Sequence, residues 1–273
     1  MNLFCKKLSI PFKQKKVLKI ISGLNTLDIN KIVRLVKAAE LSGATYIDIA
    51  ANTQIVKHLK QFTDLPICVS SIDPIELYNC ISVGADLVEI GNFDIFYKTY
   101  PTFSISTILS LVKETCCLVR NKDICVTIPH NLSLHDQIYL AQKLEEVGIN
   151  ILQTEDFYNK DLSHNLKDDY MLYSSYLASL TLSSTYALTK YVSIPIITSS
   201  KMNSLSSSIA INCGASGIGI SSNVYKHSTV YDMSLYIDEI IHSIDKQVNS
   251  YKVQKLSLLI NQYNNILVDQ PIY

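Results

Sequence analysis

Lys19 and Asp48 are charged side chains set inside aliphatic runs, Leu18 and Ile20 around the lysine and Ile47 and Ile49 around the aspartate. An ion enclosed in this way costs several kcal/mol unless a partner compensates it. The two are therefore read as a pair, with two kinds of chemistry open to it. One is a structural salt bridge. The other makes Lys19 an amine nucleophile for a carbonyl substrate, since desolvation can lower a lysine's proton affinity, although an adjacent carboxylate works against this. Glu89, between Val88 and Ile90, is a third enclosed charge and could share a ligand with Asp48 as acid and base. Asp48 and Glu89 could also offer oxygen ligands to a cation, but no histidine falls in register with them, so no metal is assigned. His130, after Thr127-Ile128-Pro129, is the strongest general-base candidate among six histidines; His58, His135 and His242 read as solvent-facing.

A second group of residues points to anion binding. Thr198-Ser199-Ser200 closes one apolar run, and Gly217-Ile218-Gly219-Ile220-Ser221-Ser222 closes another, with glycines at alternate positions. Missing side chains at Gly217 and Gly219 imply that something approaches closely, either a ligand or the bulk of Tyr46. Ser199, Ser200, Gly219, Ser221 and Ser222 are thus expected to surround a phosphate. Gln153 and Glu155 add polar groups to the same interior.

These residues need a frame that brings them together, and the hydrophobic pattern supplies one. Apolar, β-branched runs begin near Val17, Ala44, Pro66, Ala85, Asp123, Ile149, Pro195 and Ala215, about 28 residues apart, close to the ~30 of a βαβ unit. Strands so spaced must be parallel. Helical punctuation lies between them, as in Asp73-Pro74-Ile75-Glu76, where Asp caps, Pro suits the first position and Glu is expected to reach back as a capping box. Gly43, Gly84, Gly148 and Gly214 each stop a helix directly before an even-numbered strand. Aligned on these glycines, Asp48, Glu89, Gln153 and Gly219 fall at one position; Tyr46, Leu87, Ile151 and Gly217 fall two before it, and Ala50, Gly91, Glu155 and Ser221 two after. The aliphatic parity should face the helices and the polar parity the lumen, because a helix–sheet seam gives a carboxylate few partners.

The fold expected is therefore α/β, a (β/α)8 TIM barrel with a parallel eight-stranded barrel over residues 17–245, an N-terminal extension over 1–16 and an extra C-terminal helical tail over 246–273. The alternative is a doubly wound open sheet, but the dinucleotide fingerprint is missing from Ser22-Gly23-Leu24-Asn25. The polar stretch 156–165 after the sixth strand reads as a lid or a surface insertion. The tail's stripe of Val253, Leu256, Leu259, Ile260 and Tyr263 could cover the barrel or pair with a second subunit in a homo-oligomer.

Composition excludes several classes. Twenty-four basic residues balance twenty-four acidic ones, which leaves no surplus for a nucleic-acid backbone. No segment approaches the roughly 18 apolar residues of a membrane span, and Met1 to Lys7 lacks the apolar core of an export signal. Seven cysteines show no C-x-x-C, which fits a reducing interior and argues against zinc and disulfides.

The segments Lys19-Ile20-Ile21-Ser22-Gly23-Leu24-Asn25, Gly43-Ala44-Thr45-Tyr46-Ile47-Asp48-Ile49-Ala50-Ala51, Leu65-Pro66-Ile67-Cys68-Val69-Ser70-Ser71 and Gly84-Ala85-Asp86-Leu87-Val88-Glu89-Ile90-Gly91 resemble a hypothetical chloroplast reading-frame family of algal plastids and cyanobacteria. Lys113-Glu114-Thr115, Thr127-Ile128-Pro129-His130, Leu152-Gln153-Thr154-Glu155 and Gly214-Ala215-Ser216-Gly217-Ile218-Gly219 extend the likeness. The chain departs from the family pattern at Asp156-Phe157-Tyr158 and at Ser200-Lys201-Met202-Asn203. The resemblance implies a TIM barrel encoded in the plastid and working in the chloroplast stroma, and it supplies no reaction, cofactor or catalytic residue. The function expected is that of a lyase, isomerase or synthase acting on a small phosphorylated metabolite, with Lys19, Asp48, Glu89 and His130 moving protons. A non-catalytic barrel that binds a metabolite or a protein is the alternative.

Overall fold

The computed structural model of the protein describes residues 3–23, 26–91, 104–155 and 170–245. The expected lid segment 156–165 and the tail from residue 246 lie outside these residues. Eight parallel strands close into a barrel in chain order: β1 (Val17–Ile21), β2 (Tyr46–Ala50), β3 (Ile67–Ser71), β4 (Leu87–Ile90), β5 (Asp123–Ile128), β6 (Ile151–Thr154), β7 (Ile196–Thr198) and β8 (Gly217–Ile220). The helices are α1 (Lys6–Gln14), α2 (Ile29–Leu41), α3 (Thr53–Leu59), α4 (Pro74–Ser82), α5 (Ile105–Leu118), α6 (Leu134–Val147), α7 (Tyr170–Leu188), α8 (Ser204–Asn212) and α9 (residues 230–245).

Helix boundaries follow local chemistry. Asp28, Asn52, Asp73, Ser104, Ser133 and Asn203 each accept backbone N–H groups from the first turn that follows. At α4 the expected capping box is replaced by a relay: the Asp73 amide donates to Ser71 Oγ, which donates to Glu76 Oε2 at 2.7 Å. The side chain of Glu76 thus supports the helix start through the strand before it. Gly148 caps α6 in the left-handed region at φ 93°, and Gly43, Gly84 and Gly214 share that sign of φ. These shared stops put the even-numbered strands in one phase.

The two strand faces divide as the alternation requires. Leu18, Ile20, Ile47, Ile49, Val69, Val88, Ile90, Val126, Leu152 and Ile218 pack under the helices in one core. A second, separate core fills the lower lumen with Val17, Tyr46, Cys68, Leu87, Cys125, Ile151 and Ile197. Parallel register places Lys19 beside Tyr46 and Gly219, and Cys125 beside Glu89. The layer of Lys19, Cys68, Cys125 and Ile197 therefore lies directly beneath that of Asp48, Glu89, Gln153 and Gly219, four side chains per layer from alternate strands.

The N-terminal segment is the floor of this lumen. Leu8 and Phe12, one helical turn apart on α1, are buried in the lower-lumen core. The start of α1 is held by another element: Asp123 at the head of β5 accepts the Phe4 and Cys5 amides at 3.0 and 2.8 Å. That carboxylate is fully enclosed; burial raises its proton affinity while the two amides lower it. Gly217 also has a packing role. A Cβ there would lie 2.5 Å from Val17 Cβ and 2.8 Å from its carbonyl oxygen. The close neighbour expected at this glycine is β1, and neither a ligand nor Tyr46.

Removing the plug should cost the stability of a large core truncation. Phe12→Ala is expected to destabilise the fold by about 3–5 kcal/mol and to lower the melting temperature by roughly 6–20 °C in a calorimetric scan. An unchanged melting temperature would show that α1 does not close the barrel.

Candidate functional site

The polar layer is organised around one ammonium group. Lys19 is fully buried, and its three N–H groups are all engaged: with Asp48 Oδ2 at 3.0 Å, with Glu89 Oε2, and with Gln153 Oε1 at 2.9 Å. The carboxylates are bonded on their other oxygens too. Ser70 Oγ donates to Asp48 Oδ1 at 2.5 Å; Thr127 Oγ1 and Gln153 Nε2 donate to Glu89 Oε1 at 3.0 and 2.9 Å. Gln153 accepts from the lysine and donates to the glutamate, which fixes its amide orientation. The expected Lys19–Asp48 pair is present, and Glu89 from across the lumen joins it.

Electrostatics set the protonation states. Burial alone would strip the proton from Lys19, but Asp48 and Glu89 outweigh it and hold the ammonium well above the usual lysine range. A lysine so held does not serve as a neutral amine nucleophile. Asp48 is also shifted upward, but here toward the neutral form: burial raises its proton affinity, Lys19 and Ser70 only partly oppose this, and with Glu89 nearby the carboxyl reaches about 6. Two carboxylates around one lysine leave a net charge of −1 in the layer, and Asp48 is where a proton relieves it.

Above the layer, at the C-terminal ends of the strands, opens a cavity of about 200 Å3. Asp48, Ser70, Glu89 and Gln153 line its floor, and Glu155 lines it two residues further along β6's direction. Ser199, Ser200, Lys201, Gly219, Ser221 and Ser222 are among the residues that line it from the β7 and β8 side. A Cβ on Gly219 would meet Ser199 Cβ at 2.9 Å and Ile21 Cδ1 at 3.1 Å, so glycine here lets Ser199 and Ile21 pack closely against β8. Gly91 acts likewise for Thr127: a Cβ there would fall 2.7 Å from the hydroxyl that donates to Glu89.

The loop after β7 is rigidly built. Its base is tied by hydroxyls of Thr154, Thr185 and Thr198 in a buried chain with 2.8 Å links, and the Ser199 amide donates to the Thr154 carbonyl. Ser200 and Lys201 then take left-handed backbone conformations at φ 72° and 54°, a cost of about 1–3 kcal/mol each for non-glycine residues. Asn203 caps α8 reciprocally with Ser206 and occupies the amides of Leu205 and Ser206. The start of α8 is thus satisfied within the chain, and the hydroxyls of the β7 and β8 ends remain to line the cavity.

All the expected site residues except one lie in this arrangement. His130 follows β5 but is not among the residues lining the cavity. Lys201 and Ser70 line it and were not singled out for a role by sequence; Ser70 sits on the lumen parity of β3, which register alone could have shown. Among the described residues no group of three His, Cys, Asp or Glu side chains is placed to hold a metal ion, and no helix is long and apolar enough to cross a membrane.

The raised proton affinity of Asp48 fixes a sign. Its folded-state value of about 6 exceeds the ordinary 3.8, so the folded protein binds this proton more tightly than the unfolded chain. The associated stability is complete below the ordinary value and is lost as pH rises through about 6. Asp48→Asn removes the loss. The stability of the variant relative to the parent is expected to rise by on the order of 3 kcal/mol across that window, measured by urea unfolding at stepped pH. A pH-independent difference would contradict the assignment.

The comparisons place this architecture among known proteins. The thiamine phosphate pyrophosphorylase of Pyrococcus furiosus superposes with a TM-score of 0.53 at 18% identity, covering 86% of this chain and 98% of its own. The (S)-3-O-geranylgeranylglyceryl phosphate synthase of Thermoplasma acidophilum, in complex with its substrate sn-glycerol-1-phosphate, gives 0.58 at 12% identity, covering 90% and 99%. At such identities the likeness is one of fold. By sequence, the "Uncharacterized protein ycf23" of Antithamnion sp. is 47% identical over 99% of both chains, and that of Porphyra purpurea is 37% identical over 92% of this chain and 96% of its own. Residues 3–250 match the family described as "Protein of unknown function (DUF561)". The motifs around the lumen thus carry a true kinship: the chain is a plastid protein and belongs to the DUF561 family, the chloroplast reading-frame family whose pattern its strands show.

Proposed function

We propose that the protein is an enzyme of the plastid stroma that transfers a proton on a small phosphorylated metabolite, in lyase, isomerase or synthase chemistry. The observation that carries this reading is Asp48. Its carboxyl, at about 6, lies at the floor of a cavity whose β7 and β8 wall is lined with hydroxyls. A group with that proton affinity exchanges its proton near neutral pH, as a general base or acid must.

Each neighbour then has a part. Lys19 is enclosed and reaches no substrate; it holds Asp48 and Glu89 in place and keeps the layer's charge near balance. Ser70 and Lys19 each hold one oxygen of Asp48, which fixes the carboxyl where it meets the cavity. Ser199, Ser200, Gly219, Ser221 and Ser222 would surround the phosphate oxygens. The fold neighbours support the substrate class, since both names refer to phosphate compounds and one holds sn-glycerol-1-phosphate. The cavity volume keeps the substrate small. His130 has no part in this scheme.

The test begins with thermal shifts against a panel of phosphorylated metabolites, followed by turnover assays on those that stabilise the protein. Asp48→Asn is expected to lower turnover by about 100-fold or more without lowering the melting temperature, and to abolish an acidic limb of kcat/KM near pH 6. Ser222→Glu, at the exposed rim, should weaken binding of the same compounds. Full turnover in Asp48→Asn would overturn the catalytic reading, and binding without turnover in the parent would favour a metabolite-binding barrel.

A further inference from the structure

A larger cavity opens at the opposite end of the barrel, where the chain enters β1, β7 and β8. Its volume is about 450 Å3, within the range of small-molecule sites. Lys13 and Lys15 line it from the end of α1 and Lys190 from just beyond α7, and no carboxylate is among the described lining residues. Phe12, Val192, Ile194 and Pro195 give the lining an apolar part, beside the Tyr186 ring. Helix capping does not account for the lysines, because backbone amides already take the end carbonyls: Pro11 and Phe12 accept from Lys16 and Lys15, Leu188 from Tyr191 and Val192, and Ile211 from Gly214.

Ion pairing does not account for them either. Lys7 and Lys16, at the same end of the barrel, are engaged elsewhere, with the Asp64 carbonyl at 2.6 Å and with Asp245 at 2.9 Å. Lys13 and Lys15 form no ion pair among the described residues. The Lys190 ammonium lies 4.9 Å over the Tyr186 ring, a contact that leaves its charge uncancelled. One carboxylate touches the lining without being part of it: Glu145 Oε1 accepts the Ser193 amide at 2.7 Å. Counting it, three positive charges still face one negative. A cleft with low-dielectric walls and charge of one sign concentrates the field within it and draws counter-ions in. The chain as a whole is neutral, so the excess is local. We infer that this lower cavity binds a small organic anion, with at least two negative charges from phosphate or carboxylate on an aromatic or hydrocarbon body. The charges meet Lys13, Lys15 and Lys190, and the body lies against Phe12, Val192 and Pro195. The site lies at the other ends of β7 and β8 from Ser199 and Ser221 and owes nothing to the phosphate reading of the upper cavity.

Phenyl phosphate and inorganic phosphate, titrated into the nitrogen-15-labelled full chain, serve as probes, with the backbone amide resonances reporting where each binds. Phenyl phosphate is expected to give saturable shifts at Lys15, Ser193, Gly214 and Ser216, and to bind there about tenfold more tightly than inorganic phosphate because its ring is buried. The double variant Lys13→Gln/Lys15→Gln should weaken this binding by roughly tenfold, two charge-assisted contacts being lost. Both lysines are exposed, so the variant should keep the parent's melting temperature, and shifts at Ser199 and Ser221, where the upper cavity also takes the probe, should stay as in the parent. Shifts confined to the upper cavity, lower-cavity shifts that do not saturate, equal binding of the two phosphates, or binding unchanged in the double variant would each overturn the lower site.

Discussion

One ammonium group fully removed from water governs the upper half of this barrel. A lysine at the centre of a closed sheet can stay charged only if carboxylates and hydrogen-bond acceptors surround it, and Lys19 has two of the first and one amide oxygen. Each of these then needs its own partners, which Ser70, Thr127 and Gln153 supply. The result is a network in which every donor has an acceptor and the residual charge is negative. Such a network holds side chains in one geometry and adds little to stability, because desolvating its ions offsets much of their attraction. Stability comes instead from the two apolar cores around and beneath it.

The barrel thus separates its tasks along its axis. Below Lys19 the lumen is filled with Val17, Tyr46, Leu87 and Ile151, and α1 seals it with Leu8 and Phe12. Above Lys19 the carboxylates and Gln153 form a floor, the lumen opens, and the β7 and β8 wall is lined with serines. The strained pair Ser200 and Lys201 lies in the upper half, between a strand end pinned by threonines and a helix capped by Asn203.

Much of this was legible in the sequence, for a reason that can be stated. Strand parity in a barrel is strict, so four glycine stops put Asp48, Glu89, Gln153 and Gly219 in one layer before any coordinates. Enclosed charges at Lys19 and Asp48 announced a pair because neither could stand alone. What remained illegible depended on contacts between distant segments. The role of α1 hangs on Asp123, some 118 residues away, which caps it. The need for glycine at position 217 comes from Val17 at the other end of the barrel's chain. Lys201 carries no pattern of its own, and only the path of the β7 loop brings it to the cavity.

The account rests on Lys19 being a permanently charged ammonium enclosed by carboxylates. Nitrogen-15 NMR of its Nζ resonance across a pH series reads that charge directly. The ammonium is expected to persist, protected from solvent exchange, beyond the ordinary lysine value of about 10.4. A resonance that titrates to the neutral amine below that value would contradict the network and return Lys19 to the role of a reactive nucleophile.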